Sequence, residues 1–163
     1  MNLRLAVFAF FAALCASPAF GQTVMLNFSW PEMRQALVGA GATITAEGAD
    51  GDIRYFDAKS KDDLMFTVFG FECDTKETTQ RCKGAQLAAS FTPKDSDSLA
   101  KALDAIDYAA VADNASGRGN VRLTRYVIFD EGITPANLKT NITVFLNISN
   151  DVWEMLGDKG WLK

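Results

Sequence analysis

Acid–base chemistry in this chain would have to come from neighbouring carboxylates, because the sequence contains no histidine. Without an imidazole, the Ser-His-Asp and Cys-His arrangements for nucleophilic attack are excluded. Asp50 with Asp52, Asp62 with Asp63, and Asp130 with Glu131 remain as pairs that could supply an acid and a base, as glycosidases do. Each pair falls in a stretch whose composition predicts a turn, where a solvated charge is the ordinary state of a carboxylate. No catalytic residue is assigned on this pattern. Asp50-Gly51-Asp52 also resembles a fragment of a calcium loop, but the further oxygen donors and the terminal glutamate at fixed spacing are missing. A glycine-bearing hairpin turn accounts for it.

The remaining reactive side chains are the thiols of Cys15, Cys73 and Cys82. Residues 1–21 read as a cleavable secretory signal: Arg4 is followed by an apolar run from Leu5 to Leu14, then by Ser17-Pro18-Ala19-Phe20-Gly21. Cleavage after Gly21 places Ala19 and Gly21 where small residues are required, with a cut after Ala19 as the alternative. The apolar run is shorter than the roughly 20 residues that a membrane-spanning helix needs. Lipidation at Cys15 is disfavoured because Leu14 precedes it. Removal of the signal takes Cys15 away and leaves Cys73 and Cys82 in an oxidising compartment, where two remaining thiols predict a disulfide. Their eight-residue spacing differs from the C-x-x-C of redox pairs, and two thiols alone do not close a zinc site. No cofactor and no metal is expected, and the localisation is periplasmic or secreted.

Residues 22–163 then form one domain, with a hydrophobic content of 48% across the chain to supply its core. The formal charge of −4 opposes non-specific association with nucleic acid or anionic membrane. No transmembrane segment is expected in the mature chain.

The elements that must position these residues follow from periodicity. Ser29-Trp30-Pro31-Glu32 has the spacing of a capping box, and Met33, Leu37 and Ala40 continue a helix that Gly39 and Gly41 end. Ala42 to Ala46 alternates as a strand, Glu47 to Asp52 turns, and Ile53 to Ala58 returns. Leu64 to Phe71 is apolar on both faces, which predicts a central strand. Cys82 opens the next strand, in which Leu87, Ala89 and Phe91 alternate with Gln86, Ala88 and Ser90. Asp95 to Ser98 caps a helix carrying Leu99, Ala102, Leu103, Ile106 and Ala110. A turn over Asp113 to Asn120 leads to a strand at Val121 to Phe129, and Thr134-Pro135 starts a final helix with Leu138, Ile142, Phe145, Val152 and Leu156 on one stripe, up to Gly157. The expected fold is α+β, an antiparallel sheet of about five strands with helices on one side, in the order α-β-β-β-β-α-β-α.

Three stretches carry a resemblance to the YbjN domain family of bacterial sensory-transduction regulators. They are Met33 to Gly41 with the Asp50-Gly51-Asp52 turn, Cys73 to Phe91 with Leu87 and Phe91, and the block Asn120 to Leu138 running from a strand through Gly132-Ile133 into the capped final helix. Ile106 to Ala110 departs from the asparagine- and tryptophan-rich stretch of many members. The resemblance implies a fold similar to type III secretion chaperones, binding to another protein, pairing of two copies as a dimer, and no established catalytic residue.

The expected function is therefore a non-enzymatic exported module, protein-binding and chaperone-like or regulatory, in the bacterial envelope. The alternatives are a small-ligand or envelope-stress binding module with an apolar groove between sheet and helices, and a carboxylate-dependent hydrolase. Phe66, Phe69, Phe71 and Phe91 could line such a groove, although aromatics on a central strand are more often core, and the same holds for Trp153 and Trp161. Asn27, Asn114, Asn141 and Asn147 start Asn-x-Ser/Thr triplets, read as chance, with Asn141 and Asn147 on a helix's polar face.

Overall fold

The computed structural model describes residues 23–51, 53–74, 80–107, 110–113 and 119–163. Residues 1–21, expected to be a secretory signal and containing Cys15, lie outside the described residues, as do Asp52 and Asn114. The elements are β1 (Phe28–Ser29), α1 (Trp30–Gly39), β2 (Thr43–Asp50), β3 (Ile53–Lys59), β4 (Met65–Cys73), β5 (Arg81–Phe91), α2 (Ser96–Ala105), β6 (Ala110–Asp113), β7 (Asn120–Ile128) and α3 (Pro135–Asp158). The strands form one antiparallel sheet in the order β2-β3-β4-β5-β7-β6, and β1 pairs with the start of β5. The fold is α+β, with three helices among the described residues.

The caps act as their sequences predict. The Asp95 carboxylate accepts from the Ser98 backbone N–H at 2.7 Å to start α2, and Thr134 Oγ1 accepts from the Asn137 N–H at 3.0 Å to start α3. At α1, the Glu32 carboxylate accepts from the Ser29 N–H at 2.7 Å and the Ser29 hydroxyl at 2.9 Å. Arg81 at the start of β5 donates to the same carboxylate at 3.1 Å and also donates to Asn27. The cap thus ties α1 to the sheet.

One sheet face builds the core. Phe56 and Ala58 of β3, Phe66 and Val68 of β4, Ala85, Leu87, Ala89 and Phe91 of β5, and Val121, Leu123 and Val127 of β7 are buried. Met33 and Leu37 of α1, Ala102 of α2, and Leu138, Ile142, Phe145, Val152 and Leu156 of α3 belong to the same cluster. Trp30 packs edge-on to Phe28 at 5.7 Å and Phe56 at 4.9 Å between ring centroids. Arg125 shares the inward face of β7, where its guanidinium donates to Asn141 of α3 at 2.7 and 3.0 Å. Asn141 therefore joins helix to sheet as well as lying on the helix surface.

Several boundaries differ from expectation. The strand expected over Ala42 to Ala46 begins at Thr43 and runs to Asp50, since its pairing with β3 continues through Asp50↔Ile53 and takes up most of the stretch expected to turn. Ala110 leaves the helix and starts β6, which pairs with β7 from Ala110↔Leu123 to Asp113↔Asn120. The expected order thus gains β1 before α1 and β6 before β7. Cys73 and Cys82 are joined, with an S–S distance of 2.09 Å and a Cα–Cα distance of 3.9 Å. That separation is shorter than the roughly 4.4 to 6.8 Å usual for disulfides. The two residues are directly opposed beside the Asp74 N–H to Arg81 carbonyl bond, at a narrow, non-hydrogen-bonded position of the ladder.

Candidate functional site

Residues 53, 55, 57 and 59 of β3, 65, 67, 69 and 71 of β4, 84, 86, 88 and 90 of β5, and 122, 124, 126 and 128 of β7 alternate with the core residues and make the opposite sheet face, which no other element covers among the described residues. The register aligns Tyr55, Phe69, Gln86 and Tyr126 in one row and Asp57, Thr67, Ala88 and Thr124 in the next. Phe71, Gly84 and Ile128 form a third row. Ile53 and Met65 are each 51% exposed, Tyr126 60% and Ile128 59%. These are large apolar groups left in water, in a contiguous patch rather than scattered.

Two glycines shape this patch. A Cβ at Gly84 would lie 2.1 Å from Cε2 of Phe71, and one at Gly48 would lie 2.7 Å from the Tyr55 hydroxyl. Each aromatic ring therefore lies across a cross-strand glycine, flush with the sheet, because no side chain stands in its way. Tyr55 and Phe69 rings are 6.2 Å apart and Phe71 and Tyr126 rings 6.0 Å apart. Gln86 Nε2 donates to the Tyr126 hydroxyl at 2.9 Å, and Thr67 Oγ1 donates to Asp57 at 2.8 Å. These two bonds hold Gln86 against Tyr126 and Thr67 against Asp57. Beside them a shallow hollow of about 520 Å³ is lined by Asp57, Met65, Thr67, Phe69, Ala88, Ser90 and Arg122. It exists because β5 presents only small side chains there.

The aromatic set read from the sequence divides between the two faces: Phe66 and Phe91 are core, whereas Phe69 and Phe71 stand on the open face. β4 is central in the sheet, as its apolar pattern predicts, but its second apolar face carries no covering layer among the described residues. Trp153 is partly exposed on α3, and Trp161 packs against the core.

Among the described residues the carboxylates of these pairs are not gathered into a cleft. Asp50, Asp62, Asp63, Asp130 and Glu131 are exposed; Asp63 pairs with Lys59 at 2.7 Å, and Asp62 accepts from Asn150 at 2.8 Å. Among the described residues no group of three or more His, Cys, Asp or Glu side chains is placed to hold a metal ion. No helix among them is long and apolar enough to cross a membrane. A second concavity of about 460 Å³ lies between α1 and α3, lined by Met25, Ala36, Gly39, Pro135, Ala136 and Leu138, with Glu32, Gln35 and Lys139 beside them. The groove expected from the sequence lay between sheet and helices, with Phe66, Phe69, Phe71 and Phe91 as its lining; this concavity lies between two helices and draws its residues from three other segments.

No family model matches the chain, and no curated protein matches it. Among solved structures, the chain is similar to the crystal structure of an uncharacterized protein from Methanothermobacter thermautotrophicus. The likeness has a TM-score of 0.53 at 11% sequence identity and covers 81% of this chain and 99% of that one. At that identity the likeness is one of fold.

Proposed function

We propose that the mature chain is an exported, non-enzymatic protein-binding domain of the bacterial envelope, chaperone-like or regulatory in role, which binds through the open face of its sheet. The observation that carries this reading is the contiguous exposed patch of Ile53, Met65, Tyr126 and Ile128 around Tyr55, Phe69 and Phe71. Protein interfaces draw most of their affinity from a few aromatic and apolar anchors that lose water on contact. Burial is worth about 25 cal/mol per Å² of apolar surface, so a patch left in water is a reservoir of binding energy. The chaperone-like fold and the kinship with YbjN domains belong to this proposal, supported by the sequence blocks named above and by the α+β architecture.

Capture from envelope extract tests it. Tyr126→Glu should reduce capture at least tenfold while leaving the circular dichroism spectrum and melting temperature close to wild type. Replacement of the exposed carboxylates, Asp50→Asn, Asp62→Asn and Asp130→Asn, should leave capture unchanged, since solvated rim charges contribute little. Loss of biological activity in one of these folded carboxylate variants would replace this reading with a carboxylate-dependent enzyme. The concavity between α1 and α3 favours a second reading, a small-ligand module, because its volume falls in the range of ligand sites, roughly 300 to 1,000 Å³. A small molecule retained by the native protein in mass spectrometry, with no protein partner, would select it.

A further inference from the structure

On the helix side of the sheet, away from the open face, the start of α1 and the β2–β3 edge enclose a notch of about 210 Å³, lined by Trp30, Arg34, Glu47, Arg54, Phe56 and Gln80. Arg54 and Phe56 reach it because they alternate with Ile53, Tyr55 and Asp57, which stand on the open face. Glu47 reaches it through a bulge. A regular ladder continued from Thr43↔Lys59 and Ile44↔Ala58 would set Glu47 opposite Tyr55, on the open face, but the register shift between Ile44 and Ala46 sets it opposite Phe56. Bulges re-aim a side chain in this way.

The polar groups of the notch are mostly donors. The Arg34 guanidinium stands over the Phe56 ring at 4.9 Å and that of Arg54 over the Trp30 ring at 5.5 Å, while the two rings meet edge-on with centroids 4.9 Å apart. Stacking holds a guanidinium by its face and leaves the N–H groups along its edge free to bond in the plane. Arg34 gives part of its edge to Glu47 at 2.5 Å. Among the described residues no carboxylate pairs with Arg54. Trp30 Nε1 donates to Gln80 Oε1 at 3.2 Å, which fixes the amide and leaves its Nε2 as a further donor. Two guanidiniums against one carboxylate give the lining a charge of +1, in a chain whose formal charge is −4.

We propose that this notch is a binding site for a carboxylate group, held by the guanidinium fork of Arg54 with Arg34 and Gln80 Nε2 beside it. Charge selects the class. A single negative charge neutralises the lining, whereas a phosphate monoester carries about −1.5 to −2 at neutral pH and would turn its excess toward Glu47. The volume is below the roughly 300 Å³ of sites that enclose a whole ligand, so the notch takes the carboxylate end of a molecule whose remainder lies outside. Arg34 is about half exposed, so water screens the contact and binding is weak. The site is separate from the open face and does not depend on the function proposed for it.

Titration of the mature chain, disulfide intact, with sodium acetate against sodium chloride at equal ionic strength tests this, read from the indole N–H signals in proton–nitrogen NMR spectra. The Trp30 signal should move and saturate, with half-saturation at about 1 to 30 mM for so exposed an ion pair, while those of Trp153 and Trp161 stay in place. Inorganic phosphate should bind more weakly than acetate. Arg54→Gln should weaken acetate about tenfold, as loss of a charge-assisted fork does, and Arg54→Lys should recover only part, because an ammonium does not fork. Glu47→Gln releases Arg34 from its ion pair and should tighten acetate about threefold, the scale of an exposed charge pair. Arg54 and Glu47 are both exposed, so these variants should fold, as circular dichroism checks. An N-acetylated alanine tripeptide with a free carboxy terminus identifies the source: binding tighter than acetate assigns the notch to the end of a peptide chain, and binding no tighter assigns it to a small free acid. A Trp30 signal indifferent to acetate, an equal shift with chloride, phosphate bound more tightly than acetate, the tripeptide amide bound as well as the acid, or acetate weakened by Glu47→Gln would each overturn the proposal.

Discussion

Glu32 shows how much one side chain can set. Burial alone would raise its carboxyl, but the Ser29 backbone N–H and hydroxyl and the nearby Arg81 guanidinium outweigh this and hold it below the usual carboxylate value. A carboxyl with a lower pKa folded than unfolded lends stability above its unfolded value, and that contribution is lost as the pH falls through the folded value. The side chain is about two-fifths exposed, so solvent screens the ion pair and the cap dominates. Glu32→Gln keeps an acceptor for the Ser29 N–H but removes the charge that strengthens these hydrogen bonds, and should cost about 0.5 to 1 kcal/mol at neutral pH. The difference from wild type should shrink in urea titrations taken below about pH 4, near the ordinary glutamate value. A difference that does not vary with pH would refute this account of the cap. The cap was legible in the sequence because its partners lie three residues apart. Arg81 was not, since it reaches Glu32 from 49 positions away.

Elements were legible where their period was clean and their length sufficient. α3 kept its stripe of Leu138, Ile142, Phe145, Val152 and Leu156, and β5 alternated as its residues predict. β1 is only two residues long, too short for any period, and exists because β5 offers an edge to pair with. β6 begins at Ala110, which sits at helical spacing after Ile106, so local pattern favoured the wrong element until pairing with β7 decided it. Two predictions belong at this scale. Cys73 and Cys82 close a short loop on the β4–β5 hairpin, and opening it by reduction or by Cys73→Ser with Cys82→Ser should cost roughly 2 to 3 kcal/mol, read as a fall in denaturation midpoint. An unchanged midpoint would mean that the hairpin holds its register without the bond. Gly84→Val would drive a side chain into the Phe71 ring. It should cost about 1 to 3 kcal/mol, as overpacking does, and should displace the ring from the open face, read by aromatic NMR shifts of Phe71 and Tyr126.

At the scale of the whole molecule, the sequence announced a sheet with helices on one side, but could not say that no described element would cover the opposite side. The reason lies in β4, where Met65, Phe69 and Phe71 alternate with Phe66 and Val68. Apolar residues of both parities predict burial on both faces, whether the second cover comes from the same chain or from a binding partner. Only the structure assigns Phe66 to the core and Phe71 to the outside. In the function proposed above, this outer face is covered by protein when the molecule works. This covering is tested most directly by placing a photo-cross-linking phenylalanine analogue at position 126 in cells of the native host, with position 147, exposed on α3, as the comparison. Discrete protein adducts are expected from position 126, at the mass of a second copy or of a foreign partner, and none above background from position 147. Adducts from position 147 alone, or from neither position, would contradict it.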